Sequence, residues 1–254
     1  MVATDLTMFD ILGMLESDKS RGLAPTSIHS RRKDIHAFCQ WMVDWELIPA
    51  NPCSRIKPPR IPEHRKGFLS EADFQELLAL CPVSTLLGAR RHAMLQVFAN
   101  TGMRRRELLM LTVDDLDWDR HLIRVLHGKG QKERTVLFPQ PVQRAVHRYL
   151  AIRNSDRPQL WLSQVGTPLT HDTIGLDMRR LFIRAGLGHI EDCCHVFRRT
   201  AAANAEKSGI PRAYIQQLFG WNDSTMVDKY VAHMKGETEA IEVFRAKFKP
   251  FGSK

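Results

Sequence analysis

From residue 25 to 47 apolar side chains return at helical spacing. Pro25 lies near the start, and Ile28, Ile35, Phe38, Met42 and Trp45 fall on one stripe, which predicts an amphipathic helix. Two helices are evident before residue 49. Ser70 with Asp73 three residues on supplies a cap and a dipole partner for a helix running to about Leu80. Further helices are expected from about Gly88 to Thr101-Gly102, Arg104 to Met110, Pro141 to Arg153, Asp172 to Ala185, His195 to Ser208 and Pro211 to Phe219, with a short one around Tyr230 and a last one from Thr238 to Lys249. Between Asp115 and Leu137 the period changes. Ile123 and Val125 alternate, Val136 lies in a matching run, and Gly128-Lys129-Gly130 sits between them, so this stretch predicts a small sheet with Lys129 on a hairpin turn. The fold class that follows is mainly α with a small antiparallel β-sheet.

The pattern breaks once. Pro49, Asn51-Pro52, Pro58-Pro59 and Pro62 deny helix and strand interiors, and Arg55, Lys57, Arg60, Arg65 and Lys66 are interleaved with them. Residues 49–66 therefore predict an extended basic linker and a boundary between a small helical part, residues 1–66, and a body of residues 67–254.

Composition narrows the partner. Lys and Arg number 37 against 28 Asp and Glu, a formal net charge of +9. With a pI near 9.6 this favours a polyanion over an acidic small molecule. On the helix of residues 25–47, His29, Arg32, Lys33 and His36 share one side, which reads either as a surface for a phosphate backbone or as a solvated basic face. No apolar stretch approaches the roughly 20 residues of a membrane span, and Met1 to Asp10 lacks a signal-peptide layout, so the expected location is cytoplasmic. Five cysteines without paired spacing argue against a disulfide framework and a zinc module. The group His189, Cys193, Cys194 and His195 looks ligand-like, but adjacent cysteines would have to turn toward one point, and no metal site is assigned to it.

The remaining polar residues suit attack on a phosphodiester. Its anionic oxygens repel a nucleophile, and its alkoxide leaving group needs a proton. A guanidinium offers paired donors matched to phosphate oxygens, and Arg104 and Arg198 each begin or lie within an expected helix that would hold them rigid. Arg104-Arg105-Arg106 taken alone also reads as a surface charge cluster. Lys129, between two glycines, and His195, three residues before Arg198, are candidates for proton transfer, against the plainer readings of a hairpin lysine and a structural histidine. Of the three tyrosines, Tyr149 reads as core and Tyr214 as packing, which leaves Tyr230 as the candidate nucleophile, its phenolate favoured by surrounding cations.

Taken together these segments resemble the tyrosine recombinase family, the phage integrases and Xer-type enzymes. Thr101-Gly102-Met103-Arg104-Arg105-Arg106-Glu107-Leu108-Leu109 resembles the first arginine box, implying Arg104 as catalytic and Glu107 as the acid that organises the site. The run Gly128-Lys129-Gly130-Gln131-Lys132-Glu133-Arg134 resembles the family's β-hairpin, with Lys129 as general acid. His195-Val196-Phe197-Arg198-Arg199-Thr200 resembles the second box and carries over His195 and Arg198. Leu218-Phe219-Gly220-Trp221 is similar to the segment before the nucleophile, and the step of nine residues to Tyr230 fits it. Trp221 stands where many members have histidine, although some active members use tryptophan, and its indole N–H is able to donate to a phosphate oxygen. Arg199 stands where a second histidine is common, outside the essential set. The resemblance runs from about Thr26 to Tyr230.

The resemblance implies a tyrosine recombinase catalytic domain at residues 67–254 and, at 1–66, a short helical core-binding (SAM-like) domain, abbreviated from the usual four helices or so. Together they would form a C-shaped clamp on duplex DNA, with His29, Arg32, Lys33, His36, Arg55, Lys57 and Arg60 as DNA contacts. It also implies site-specific cleavage and rejoining of DNA through a 3′-phosphotyrosine intermediate, for integration, excision or resolution, without cofactor, ATP or metal. The expected assembly is a tetramer on two sites, with Ile241, Phe244 and Phe248 of the last helix docking on a neighbouring protomer or on their own domain. The short N-terminus is expected to leave no room for a separate arm-binding domain. Two alternatives share these features: a type IB topoisomerase relaxing supercoils, and a non-catalytic DNA-binding accessory.

Overall fold

The computed structural model describes residues 3–61, 67–126 and 133–221. The chain divides into two compact units, Met1–His64 and Arg65–Lys254.

The first unit is built on helices α1 (Met8–Ser20) and α2 (Pro25–Asp44). Thr7 starts α1 with a capping box: the Asp10 N–H donates to the Thr7 hydroxyl, and the Thr7 N–H donates to the Asp10 carboxylate at 2.9 Å. Proline occupies the first turn of α2, where its fixed φ suits the helix and no donor is lost. Ile11, Leu15, Ile28, Cys39, Met42, Ile48, Cys53 and Ile56 form the core.

Two expectations are corrected here. The segment after α2 is not extended from residue 49: Ile48, Cys53 and Ile56 are buried against the two helices. Asn51 makes this possible despite the prolines, because its amide donates to the His36 carbonyl at 3.1 Å and accepts from the Cys53 N–H at 2.9 Å. The apolar stripe of α2 is also rotated. Ile28, Cys39 and Met42 are buried, whereas Phe38 and Trp45 are 46% and 68% exposed. Phe38, Trp41 and Trp45 instead form a solvent-facing ladder, with centroid spacings of 5.9 and 6.2 Å. Within this unit, and among the described residues, α1 and residues 48–56 cover one face of α2, and the aromatic face falls outside it.

The second unit holds α3 (Glu71–Ala79), α4 (Leu86–Thr101), α5 (Arg105–Met110), strands β1 (Leu116–Asp117), β2 (Leu122–Val125) and β3 (Arg134–Leu137), then α6 (Gln140–Arg153), α7 (His171–Arg184), α8 (His195–Lys207) and α9 (Arg212–Phe219). The strands form an antiparallel sheet in the order β1-β2-β3, with Leu116 opposite Ile123 and Ile123 opposite Val136. Ile123, Val125 and Val136 face the core. α4 is the central helix, packed on α6 and α8 and buried on most sides. Phe197 of α8 joins the layers. It stacks on Phe98 at 5.8 Å and meets Phe74 and Phe182 edge-on.

Tyr149 is core, its hydroxyl accepting from the Leu162 N–H at 2.9 Å. Tyr214 is not packing, as the sequence suggested, but 60% exposed: it lies on the side of α9 opposite Ile215 and Phe219, the residues that face the body. All five cysteines are free. Among the described residues no helix is long and apolar enough to cross a membrane, and no three His, Cys, Asp or Glu side chains converge as a metal site.

Candidate active site

The site is organised by the carbonyl end of α9. This helix stops at Gly220, whose left-handed φ of 59° closes a Schellman turn: the Trp221 N–H donates to the Gln216 carbonyl and the Gly220 N–H to that of Gln217, both at 3.0 Å. Three successive carbonyls at this end each accept from a different arginine. Arg134 Nε donates to Leu218 O at 3.0 Å, Arg198 donates to Phe219 O, and Arg104 donates to Gly220 O at 3.2 Å. The negative end of a helix dipole, with its last carbonyls unpaired, suits such cations.

Arg104 and Glu107 reach this point because α4 ends in a sharp turn. Gly102 has φ of 58°, and a Cβ there would lie 2.3 Å from Phe219 Cε1, so the position requires glycine for both conformation and space. Arg104 then caps α5. Its backbone N–H donates to Glu107 Oε2 at 2.8 Å and its guanidinium to Oε1 at 2.7 Å. Arg134, the first residue of β3, grips the same carboxylate with both terminal nitrogens, at 2.9 and 2.6 Å. Burial works to raise the Glu107 pKa, but the hydrogen bonds and charge of Arg134, with those of Arg104, outweigh it and hold the carboxyl at about 2.

Arg198 is 1% exposed. It donates to Gly102 O at 2.7 Å as well as to Phe219 O, which links the turn before Arg104 to the end of α9. Its guanidinium lies 5.2 Å from the Phe219 ring centroid and 5.0 Å from that of Trp221, and those two rings stack at 5.0 Å. Trp221 is thus buried against the cation it was expected to accompany. His195 opens α8 one turn before Arg198 and is exposed. Arg199 serves elsewhere: buried, it pairs with Asp192 and donates to Gly67 O at 3.0 Å, tying α8 to the start of the unit.

The fold therefore brings Arg104, Glu107, Arg198 and Trp221 to one turn. Lys129 and Tyr230 lie outside the described residues, as does the stripe of Ile241, Phe244 and Phe248. Of the expected DNA contacts in the first unit, Lys33, Arg55, Lys57 and Arg60 are exposed, and His29 and His36 are half-buried. Arg32 has an internal task, its Nε donating to Ile56 O at 2.6 Å.

No sequence pattern above gives Arg134 a role of its own. A signal was present: at period two it shares the inward face of β3 with Val136, where an arginine requires a buried partner.

The family model described as the phage integrase family matches residues 67–237. The tyrosine recombinase XerC of Bacillus pumilus (strain SAFR-032) is 30% identical over 220 residues, covering 83% of this chain and 71% of the relative. That of Myxococcus xanthus is 29% identical over 228 residues, covering 86% and 74%. Among solved structures, the Tn1549 transposon integrase in complex with a circular intermediate DNA superposes with a TM-score of 0.79 at 21% identity, covering 96% of this chain and 86% of that one. The XerA recombinase gives 0.63 at 24% identity, covering 99% and 86%. The match over most of the second unit and the agreement with these recombinases place the chain in the phage integrase family, as a site-specific tyrosine recombinase of the Xer type.

Proposed function

We propose that this recombinase cleaves and rejoins duplex DNA at a specific site through Tyr230, with residues 67–254 as the catalytic domain and residues 1–66 as a core-binding domain. The phenol oxygen of Tyr230 attacks phosphorus and the bond to the 5′ oxygen breaks, which leaves a 3′-phosphotyrosine and a free 5′-hydroxyl. Lys129 protonates the departing oxygen, and His195 takes the phenol's proton or donates to a phosphate oxygen. Arg104, Arg198 and Trp221 stabilise the charge that grows on the non-bridging oxygens. The covalent link conserves the energy of the broken bond. A 5′-hydroxyl from a second strand reverses the step, and the scheme calls for neither ATP nor a divalent ion.

One observation carries this reading: Arg198 and Arg104, far apart in sequence, donate to the adjacent carbonyls of Phe219 and Gly220, so both cations meet at the two residues before Trp221. The DNA partner is supported by the integrase bound to a circular intermediate DNA and by a lambda integrase dimer bound to a core site. We further assign to this chain a tetramer on two DNA sites, assembled in the cytoplasm.

The test uses a duplex that the protein itself selects from a randomised library, nicked so that the fragment freed by cleavage diffuses away. A denaturation-resistant protein–DNA band that is lost in Tyr230→Phe is expected. Absence of that band on every selected duplex refutes the assignment of Tyr230. Relaxation of supercoiled DNA that carries no selected site would instead indicate a topoisomerase.

A further inference from the structure

Glu107 is one carboxylate shared by two guanidiniums. It faces Arg104 from the cap of its own helix and Arg134 from β3, while Arg198 of α8 is held at the neighbouring carbonyl of Phe219. Arg134 is nearly buried, its side chain 9% exposed. Of the five N–H donors of a guanidinium, three are committed inward, two to Glu107 and one to Leu218 O. Its Cδ and a terminal nitrogen lie 3.3 Å from the point where a Cβ on Gly220 would sit, so the side chain runs directly beneath the turn that leads to Trp221. This is a supporting position behind the phosphate-facing residues.

The charges add up in a particular way. Arg104, Glu107 and Arg134 together carry a net charge of +1. Without Arg134, the Glu107 anion would neutralise Arg104, and the one cation able to point outward from this group would lose its net charge toward a phosphate.

We infer that Arg134 is a positioning residue for strand cleavage: it offsets the charge of Glu107, so that Glu107 orients Arg104 without cancelling it, and it ties β3 to the end of α9. The inference rests on the reading of Arg104 as a phosphate-binding residue. The low pKa of Glu107 agrees with it, because Arg134 is the main partner that holds the carboxylate ionised against its burial.

The test measures duplex affinity and single-turnover cleavage per folded molecule, on the library-selected nicked duplex, for the full chain and for Arg134→Gln, Arg134→Lys and the double variant Arg134→Gln with Glu107→Gln. Arg134→Gln is expected to cleave about 100-fold more slowly, the scale of losing one preorganised charge-stabilising group, with affinity changed less than threefold. Arg134→Lys retains the charge and should recover most of the rate. The double variant restores the net charge of +1 and should cleave at least tenfold faster than Arg134→Gln. Wild-type cleavage per folded molecule in Arg134→Gln would show a purely structural ion pair and overturn the inference, as would failure of the double variant to gain rate. A loss of affinity matching the loss of rate would make Arg134 a direct phosphate contact, which also overturns it. The underlying reading fails separately: wild type gives no covalent band, or Arg104→Gln cleaves as wild type does.

Discussion

Replacement of Glu107 by Gln tests the electrostatics of the site at its centre. The carboxyl falls from 4.5 to about 2 on folding. At about 1.36 kcal/mol per unit, that difference is worth on the order of 3 kcal/mol of stability at neutral pH. Removal of one member of a buried ion pair costs about 3–5 kcal/mol by a separate route, which agrees. The sign follows from the depressed value. The contribution is complete above the unfolded pKa of 4.5 and is lost as the pH falls through about 2. Equilibrium urea denaturation of wild type and Glu107→Gln, followed by tryptophan fluorescence, should show a gap of about 3 kcal/mol at pH 7. Because Gln does not titrate, the gap should shrink by about 1.4 kcal/mol at pH 3.5. Groups that titrate equally in both proteins cancel in this comparison. A gap under about 1 kcal/mol at pH 7, or one unchanged at pH 3.5, would mean that Glu107 is solvated rather than clamped between arginines.

Gly102→Ala adds a methyl group 2.3 Å from Phe219 Cε1 at a left-handed φ, and the combined strain and overpacking should cost about 2–5 kcal/mol in a denaturation midpoint; a change within about 0.5 kcal/mol would show that Phe219 moves aside freely. Trp221→Phe keeps the stack on Phe219 but removes the indole N–H, so cleavage should slow by about 10²-fold while stability changes by less than about 1.5 kcal/mol; unchanged cleavage would show that the donor is not used. In the first unit, Lys33→Ala should lower the slope of log affinity against log salt by about 1. Arg32→Ala, which loses the contact to Ile56 O, should instead lower stability by about 1–3 kcal/mol. Equal effects of the two on the salt slope would contradict that division of tasks.

Local rules carried the sequence reading a long way. Helix ends followed from Ser70 with Asp73 and from Thr101-Gly102, because caps and left-handed turns are written in single residues. Arg104 and Arg198 were legible as candidates from their residue type and expected helices, and Glu107 only through the resemblance of its segment to a known box; the structure adds that Arg104 holds Glu107 and that Arg104 and Arg198 reach adjacent carbonyls. What failed was whatever depends on which face meets the core. Phe38 and Trp45 satisfy helical periodicity as well as Cys39 and Met42 do, and only the placement of α1 and residues 48–56 decides between them. Tyr214 was misread for the same reason. The prolines around Asn51 suggested an extended chain because the compensating hydrogen bonds are made across 15 residues, to His36. Arg134 was overlooked because its partners, Glu107 and Leu218, lie 27 and 84 residues away.

The three carbonyls at the end of α9 have one more consequence. They are resident ligands, tethered to the protein and already matched to Arg134, Arg198 and Arg104. A free sulfate or phosphate ion must compete for those donors with acceptors held at a high effective concentration. A phosphate within a polymer arrives with binding energy from many other contacts behind it. On the proposed reading, Arg104 and Arg198 would thereby be guarded against small anions and open to DNA, a selectivity set by the length of the substrate rather than by the chemistry of the group it presents.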